Sequence, residues 1–288
     1  MGLQSILESG KFVVTAEIGP LKGTDTTEIN EVAELLRGRI DAANVTDQQS
    51  SVLRLGSLVT CHLLKEKGLE PVFQVTCRDR NRIALQSDLL NAYVMGVENV
   101  LCLTGDYVTL GDHLDAKPVF DLDSVSLLYA ARQLEQGKDL AGKELKGTPK
   151  FFLGACVTPG ADPVEPQLIK MERKVKAGAQ FFQTQAIYEP KKFEAFMKEA
   201  KKFGVPVLVG IVLLRSAAMA RFMNKNVAGI HVPDEMINEM DQAENKLQKG
   251  IEIAARLIRE MKDICQGTHI MAIGLESKVP AILDAAGL

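Results

Sequence analysis

Glu17 is the first residue of the chain that invites a chemical question. It stands near the end of FVVTAEI, residues 12–18, and is the one charged residue in a run that otherwise reads as a buried strand. An ionised carboxylate without a partner is costly to take out of water, so a carboxyl group here is either paired or used. Pairing is the commoner outcome for a single Glu at a strand end.

Polar residues also close four later apolar runs. Each alone carries little information, because Thr is at home in a strand and Gln183 could face a helix layer. The coincidence carries more, since these runs end in polar groups while their other ends do not. In a barrel the carboxyl ends of all strands converge on one mouth, so such side chains would meet around one ligand. The later ends are Thr46 with Asp47, Gln74 with Thr76, Thr104 with Asp106, and Gln183 with Gln185.

The elements that must position these residues follow a regular alternation. Eight β-branched or aromatic runs alternate with longer segments of helical period, which predicts parallel strands joined by crossover helices. Eight such units predict an α/β fold, a closed (β/α)8 TIM barrel, as a single domain over residues 1–288. An open doubly wound sheet would usually have fewer strands and a G-x-G-x-x-G turn, which follows none of the runs. The predicted strands span residues 12–18, 40–46, 71–77, 98–104, 151–157, 180–186, 206–212 and 269–273.

Glycines end three of the predicted helices. TDTTEINEVAELLRG ends at Gly38, NRIALQSDLLNAYVMG at Gly96 and PKKFEAFMKEAKKFG at Gly204. The segments GDYVTLGDHLDAKPVF and TPGADPVEP, after the fourth and fifth strands, are longer than typical turns, and a barrel builds its site on such loops. The segment IHVPDEMINEMDQAENKLQKG predicts an extra helix before the final one.

Composition excludes several classes of function. The 288 residues are 46% hydrophobic and 25% charged, which is ordinary for a globular protein with a sizeable core. A net charge of -3 with scattered signs argues against a nucleic-acid partner. No stretch approaches the roughly 20 apolar residues of a membrane span, so we expect a cytoplasmic protein. Five cysteines without paired short spacing, and four histidines, predict neither a disulfide framework nor a metal site.

Several segments resemble, in order, those of the methylenetetrahydrofolate reductase family. They are TAEIGP, AANVT, PVFQVTCRDR, VENVLCLTGD, MERKVKAGAQFFQTQAIYE and VPVLVGIV, and together they cover roughly residues 12–233. The chain looks most like a divergent short branch of that family found in acetogens. The resemblance implies a flavin-dependent TIM barrel that reduces 5,10-methylenetetrahydrofolate to 5-methyltetrahydrofolate, an oxidoreductase of one-carbon metabolism.

The same resemblance implies roles for three residues. Glu17 matches the general acid, which protonates the folate so that its methylene bridge opens to an iminium, and an apolar surrounding lets a carboxyl group keep its proton. Asp106 matches the acidic residue that stabilises this cation and contacts the pterin. Gln185 matches the glutamine that holds the pterin edge, which suits an amide because it both donates and accepts.

Cofactor-binding positions are also implied by the resemblance. Arg173 and Lys174 match phosphate contacts of the flavin, although on pattern alone ERKVKAG reads as a solvated helix face. Three positions depart from familiar bacterial members, which have histidine at Gln74, arginine at Thr104 and a flavin-stacking tyrosine at Cys156. Two further departures are Ala217, near an expected aromatic, and Glu276, in place of an arginine. The remaining cofactor positions are Thr46, Gly105 and Asp106.

These departures bear on the cofactor and on the source of electrons. They leave FAD, the family's flavin, and FMN both open. They also weaken a direct role for NAD(P)H and favour an electron-delivering protein subunit with zinc or iron–sulfur centres, hence an oligomer or hetero-complex. Two other functions stay open: a barrel resembling methyltetrahydrofolate:corrinoid methyltransferases, and a pterin-binding or scaffolding barrel subunit without redox activity of its own.

Overall fold

Eight parallel strands form a closed barrel. The computed structural model describes residues 2–288. The strands pair in chain order and β8 closes on β1, which confirms the predicted (β/α)8 barrel. They are β1 (Val13–Ile18), β2 (Ala42–Val45), β3 (Pro71–Thr76), β4 (Asn99–Leu103), β5 (Phe152–Val157), β6 (Phe181–Ala186), β7 (Val207–Val212) and β8 (Gly267–Met271).

Helices surround the strands and one precedes them. They are α1 (Leu3–Glu8), α2 (Thr27–Leu36), α3 (Ser57–Glu66), α4 (Arg82–Val94), α5 (Ser124–Glu135), α6 (Glu165–Ala177), α7 (Pro190–Ala200), α8 (Ala217–Asn226), α9 (Asp234–Gln242), α10 (Lys246–Met261) and α11 (Val279–Ala286). The helices α8, α9 and α10 all follow β7, so the predicted extra helix is confirmed. Gly38, Gly96 and Gly204 follow their helices with positive φ, as a glycine that stops a helix does.

The last strand differs from its predicted bounds. It begins at Gly267 and ends at Met271, two residues earlier than the sequence indicates at both ends. Glycine is depleted in strands, which hides this start from a propensity argument. A Cβ on Gly267 would overlap the carbonyl oxygen of Val13, so glycine is what allows β8 to approach β1 and close the barrel. His269 consequently lies in the middle of β8.

Apolar side chains fill the amino-terminal end of the barrel. Leu3 and Leu7 of α1 pack against inward-facing residues of the strands. Among these, the rings of Phe152 and Phe181 stack with centroids 4.8 Å apart. Gly154 provides the space, because a Cβ there would overlap the Phe181 ring. This end of the barrel therefore supplies packing energy, and the chemistry must lie at the other end.

We expect Phe181→Ala to destabilise the fold by about 3–5 kcal/mol, because the fully buried ring would leave a cavity that the closed barrel cannot collapse around. Equilibrium unfolding in guanidinium chloride measures this change. Phe222→Ala is the matched control, since its ring is 62% exposed on α8 and its loss should change stability by less than about 0.5 kcal/mol. If the two variants lost similar free energy of unfolding, the buried aromatic layer would contribute no more to stability than an exposed side chain.

Candidate active site at the mouth of the barrel

A cavity of about 420 Å³ opens at the carboxyl ends of the strands. Its wall brings together residues from β1 to β6 that are far apart in sequence, together with His269 and Met271 of β8. The convergence expected from polar strand ends is therefore present. Eight of the ten predicted site residues line this cavity: Glu17, Thr46, Gln74, Thr104, Gly105, Asp106, Cys156 and Gln185.

The other two predicted residues, Arg173 and Lys174, line a neighbouring cavity of about 390 Å³. The two cavities share Leu103, Thr104 and Cys156, so one ligand could extend through both. Nζ of Lys174 donates to the carbonyl oxygen of Cys156 at 2.7 Å. Burial lowers the pKa of Lys174. Arg173 is exposed. Together, Lys170, Arg173 and Lys174 give this second cavity a cationic wall.

Glu17 is nearly buried and has two neighbours of different kinds. Nε2 of Gln49 donates to its Oε1 at 3.0 Å. Nε2 of His269 lies 3.9 Å from its Oε2, beyond hydrogen-bond distance. Glu17 is 8% exposed and has no Lys or Arg partner among the described residues. The one basic group near its carboxyl group is the imidazole of His269, which carries charge only when it is protonated. A carboxyl group at the mouth without a Lys or Arg partner is a candidate for proton transfer.

A buried polar layer lies directly below Glu17. Nδ1 of His269 and Oγ1 of Thr15 are 2.9 Å apart. Nε2 of Gln183 donates to the same hydroxyl at 3.3 Å. Gln183 and Asn44 exchange two amide hydrogen bonds of 2.8 and 3.0 Å. Gln183 thus faces the barrel interior, and the alternative that it faces the helix layer is wrong.

Sequence reasoning missed His269 and Asn44. A signal for both existed, because Asn44 stands inside AANVT and His269 begins HIMAI, and both runs are mostly apolar. Counting inward and outward positions along each strand would have found Asn44 beside the interior residues of its neighbours. The predicted β8 begins at His269 and not at Gly267, so the sequence did not indicate that His269 lies in the middle of the strand.

Asp47 and Asp106 have opposite surroundings, although both follow strands. The backbone N–H and the hydroxyl of Thr76 donate to Asp47 at 2.8 and 2.9 Å, and Arg80 pairs with the same carboxylate. Asp47 is therefore a structural clamp between β2 and β3. The Asp106 side chain is exposed at the mouth, and there it is the backbone carbonyl that accepts a hydrogen bond, from Arg78.

Arg78 is a further residue that sequence reasoning did not single out. Its side chain is 1% exposed and donates to the Asp79 carboxylate and to the carbonyl oxygens of Gln48 and Asp106. It thereby joins the loops that follow β2, β3 and β4. A buried guanidinium needs this many acceptors, since an unpaired one would be very costly.

Three features of the two cavities suit a polar ligand that carries phosphate. Oγ1 of Thr46 is buried and has no hydrogen-bond partner among the described residues, so a ligand group can satisfy it. Gly105 has φ of 96°, and a Cβ there would lie 3.0 Å from Thr76, which favours glycine and leaves its backbone open to a ligand. The cationic wall of the neighbouring cavity suits phosphate groups.

The remaining positions named from the sequence have clear locations. Burial raises the pKa of Cys156 to about 11, so its thiol is neutral at physiological pH. Ala217 and Glu276 do not line the mouth cavity; Val227, after α8, reaches it from that side. Across residues 2–288 no group of three or more His, Cys, Asp or Glu side chains is arranged to hold a metal ion. No helix in the same range is long and apolar enough to cross a membrane.

We expect Asp47→Ala to lower stability by about 1–3 kcal/mol, because it removes two buried hydrogen bonds to Thr76 and leaves Arg80 with Asp88 as its remaining partner. Asp106→Ala is the matched control, since that carboxylate is exposed and should contribute less than about 0.5 kcal/mol. Chemical denaturation followed by circular dichroism compares the two. The assignment of Asp47 to structure fails if both variants unfold at the same denaturant concentration.

Comparison with known proteins connects this site to one family. Residues 2–287 match the family model described as methylenetetrahydrofolate reductase, a longer range than the residues 12–233 on which the sequence resemblance rested. A Caenorhabditis elegans protein named probable methylenetetrahydrofolate reductase (NADPH) is 23% identical over 260 residues, 86% of this chain and 36% of that protein. Methylenetetrahydrofolate reductase 2 of Schizosaccharomyces pombe is 26% identical over 238 residues, 74% of this chain and 35% of that protein. The chain thus spans about a third of these relatives.

Solved structures share the fold at much lower sequence identity. Oxaloacetate acetylhydrolase superposes with a TM-score of 0.59 at 11% identity, covering 97% of this chain and 81% of that chain. A 2,3-dimethylmalate lyase gives a TM-score of 0.53 at 11% identity, covering 99% and 87%. At such identity the likeness concerns the barrel architecture alone.

Proposed function

The chain belongs to the methylenetetrahydrofolate reductase family, and from this premise we propose that it reduces 5,10-methylenetetrahydrofolate to 5-methyltetrahydrofolate with a bound flavin. The observation that carries the proposal is the position of Glu17, a nearly buried carboxyl group at the mouth without a Lys or Arg partner. A plain structural ion pair, common for a strand-end Glu, would have only His269 as its partner, at 3.9 Å.

Glu17 is the proposed general acid. It hands a proton to a nitrogen of the methylene bridge, the C–N bond at that nitrogen breaks, and a cationic iminium remains on the folate. His269 supports this role from below, because Thr15 holds the imidazole by its Nδ1 and turns Nε2 toward the carboxyl group. General acid catalysis of this kind is worth roughly 10²–10⁴-fold in rate.

Asp106 and Gln185 are the proposed substrate contacts. The exposed Asp106 carboxylate lies at the mouth and can stabilise the cationic iminium, since its charge is not neutralised by a neighbouring cation among the described residues. Gln185 is also exposed at the mouth, where its amide can donate to and accept from the pterin edge.

The flavin would be held by residues of both cavities. Thr46 offers its unpartnered hydroxyl, Gly105 its open backbone, and Arg173 and Lys174 their charges for phosphate. When bound and reduced, the flavin supplies the hydride that converts the iminium to a methyl group. The resemblance implies FAD, while the changed residues Gln74, Thr104 and Cys156 are compatible with FMN.

A protein subunit that delivers electrons is part of the proposal. Its support is that Cys156 stands where familiar bacterial members of the family have a flavin-stacking tyrosine. An aromatic surface on which NAD(P)H could stack is therefore missing at this position. Beside the mouth, Tyr107, Leu110 and Leu114 are exposed on the long loop after β4. Exposed large apolar side chains so close together in the sequence suit a contact with another protein.

The direct test is the cofactor of freshly purified protein. We expect a flavin absorption spectrum, a cofactor mass equal to FAD or FMN, and reoxidation of the reduced flavin on addition of methylenetetrahydrofolate. Flavin-free protein that transfers a methyl group to a corrinoid protein would identify a methyltransferase-like barrel. Flavin-free protein that binds pterin without turnover would identify a binding subunit. Full turnover of the isolated chain with NADH would contradict only the proposed electron-delivering subunit. The proposed reductase activity would stand.

We expect Glu17→Gln to slow reoxidation of the reduced flavin by methylenetetrahydrofolate by roughly 10²–10⁴-fold, because the amide cannot give up a proton. Flavin binding should be unchanged, since Glu17 does not line the neighbouring cavity in which the flavin phosphate is proposed to bind. Stopped-flow absorbance measures both. Glu194→Gln, which alters an exposed glutamate on α7, is the control and should react at the wild-type rate. Wild-type rates in Glu17→Gln would remove Glu17 from the mechanism.

A further inference from the structure

The loop between β2 and α3 has an unfavourable backbone. Gln48, Ser50 and Ser51 have φ of 46°, 56° and 58°, in the left-handed region that residues other than glycine seldom adopt. Three such residues within four positions persist only where surrounding contacts determine the conformation, and strain of this kind concentrates at functional sites.

Several contacts hold this loop in place. Gln48 bridges to Arg54, with its amide donating to the Arg54 carbonyl at 3.0 Å and accepting from the Arg54 N–H at 2.7 Å. The buried Arg78 donates to the carbonyl oxygen of Gln48 at 3.1 Å. On the other side Gly111 packs against Ser51 so closely that a Cβ would overlap its carbonyl oxygen. The conformation is therefore fixed from three directions.

The contacts that hold this loop also determine the position of Gln49. It lies between the strained residues, is half-buried, lines the mouth cavity, and donates from Nε2 to Oε1 of Glu17 at 3.0 Å. This is the one hydrogen bond to the Glu17 carboxyl group from a described residue. His269, at 3.9 Å, is a neighbour without a hydrogen bond.

We propose that Gln49 is a positioning residue that holds the Glu17 carboxyl group in both of its protonation states. The inference rests on the proposed function, in which Glu17 gives up a proton and later recovers it. An amide is suited to both states: its NH₂ donates to the carboxylate, and after rotation its carbonyl oxygen accepts from the carboxyl O–H. The strained loop keeps the amide within reach while the carboxyl group changes charge.

Other ionisable groups also face Glu17. His269 approaches from β8, and Cys156 lines the same cavity from β5. Asp47, Arg78 and Asp106 line the same cavity from the loops after β2, β3 and β4. These groups are unchanged in a Gln49 variant, so a difference between that variant and the wild type reports the amide contact.

We expect Gln49→Leu to slow reoxidation of the reduced flavin by methylenetetrahydrofolate about ten- to a hundredfold, because the Glu17 carboxyl group loses the amide that orients it. A second readout is the double variant Glu17→Gln/Gln49→Leu. It should be no slower than Glu17→Gln alone, because Gln49 acts through Glu17 and has nothing left to orient. Stopped-flow absorbance measures these rates.

Leu53→Gln is the control, since it alters an exposed side chain of the same loop and should react at the wild-type rate. Slowing by Gln49→Leu that disappears in the Glu17→Gln background supports the inference. A wild-type rate in Gln49→Leu, or an equal further slowing in the Glu17→Gln background, overturns the inference and leaves the proposed function intact. A wild type that does not reduce methylenetetrahydrofolate overturns the proposed function, and the inference with it.

Discussion

The interior of a closed barrel has no solvent, so every polar side chain that points into it must find a partner inside. Here four residues from four strands meet this requirement together. Asn44 and Gln183 satisfy one another, Gln183 reaches Thr15, and Thr15 orients His269. This layer separates the apolar lower half of the barrel from the mouth. Because its members are fixed by one another, Glu17 directly above them has a rigid support.

That layer divides stability from chemistry along the barrel axis. Below it, stacked Phe152 and Phe181 and the plug formed by α1 bury apolar surface. Above it, the side chains retain exposure or incomplete pairing, as the hydroxyl of Thr46 does. A site that must bind a ligand cannot have all its polar groups satisfied by the protein itself. The lower half therefore supplies the stability that the upper half gives up.

The sequence predicts much of this arrangement, and the reason lies in strand periodicity. Apolar runs and glycine-ended helices are local signals, so the eight strands and the extra helix could be foreseen. Polar strand ends are local too, which is why the sequence indicates that Glu17, Asp106 and Gln185 lie at the mouth. The contact between Thr15 and His269 joins residues 254 positions apart and depends on barrel closure and register. The strained loop that directs Gln49 contains no glycine at its left-handed positions, so nothing local announces it.

The charges at the mouth distinguish two aspartates, Asp47 after β2 and Asp106 after β4. Asp47 is neutralised by Arg80, and the buried Arg78 by Asp79, so neither pair projects a net charge into the cavity. Glu17 has His269 beside it. Among residues 2–288 this leaves Asp106 as the carboxylate of the mouth without a basic neighbour. In the proposed function, the iminium cation is attracted toward Asp106, and partial shielding from water strengthens that attraction. The loop that carries Asp106 is itself held by Arg78 through a backbone carbonyl, so the buried arginine that Asp79 pairs also fixes the position of this loop.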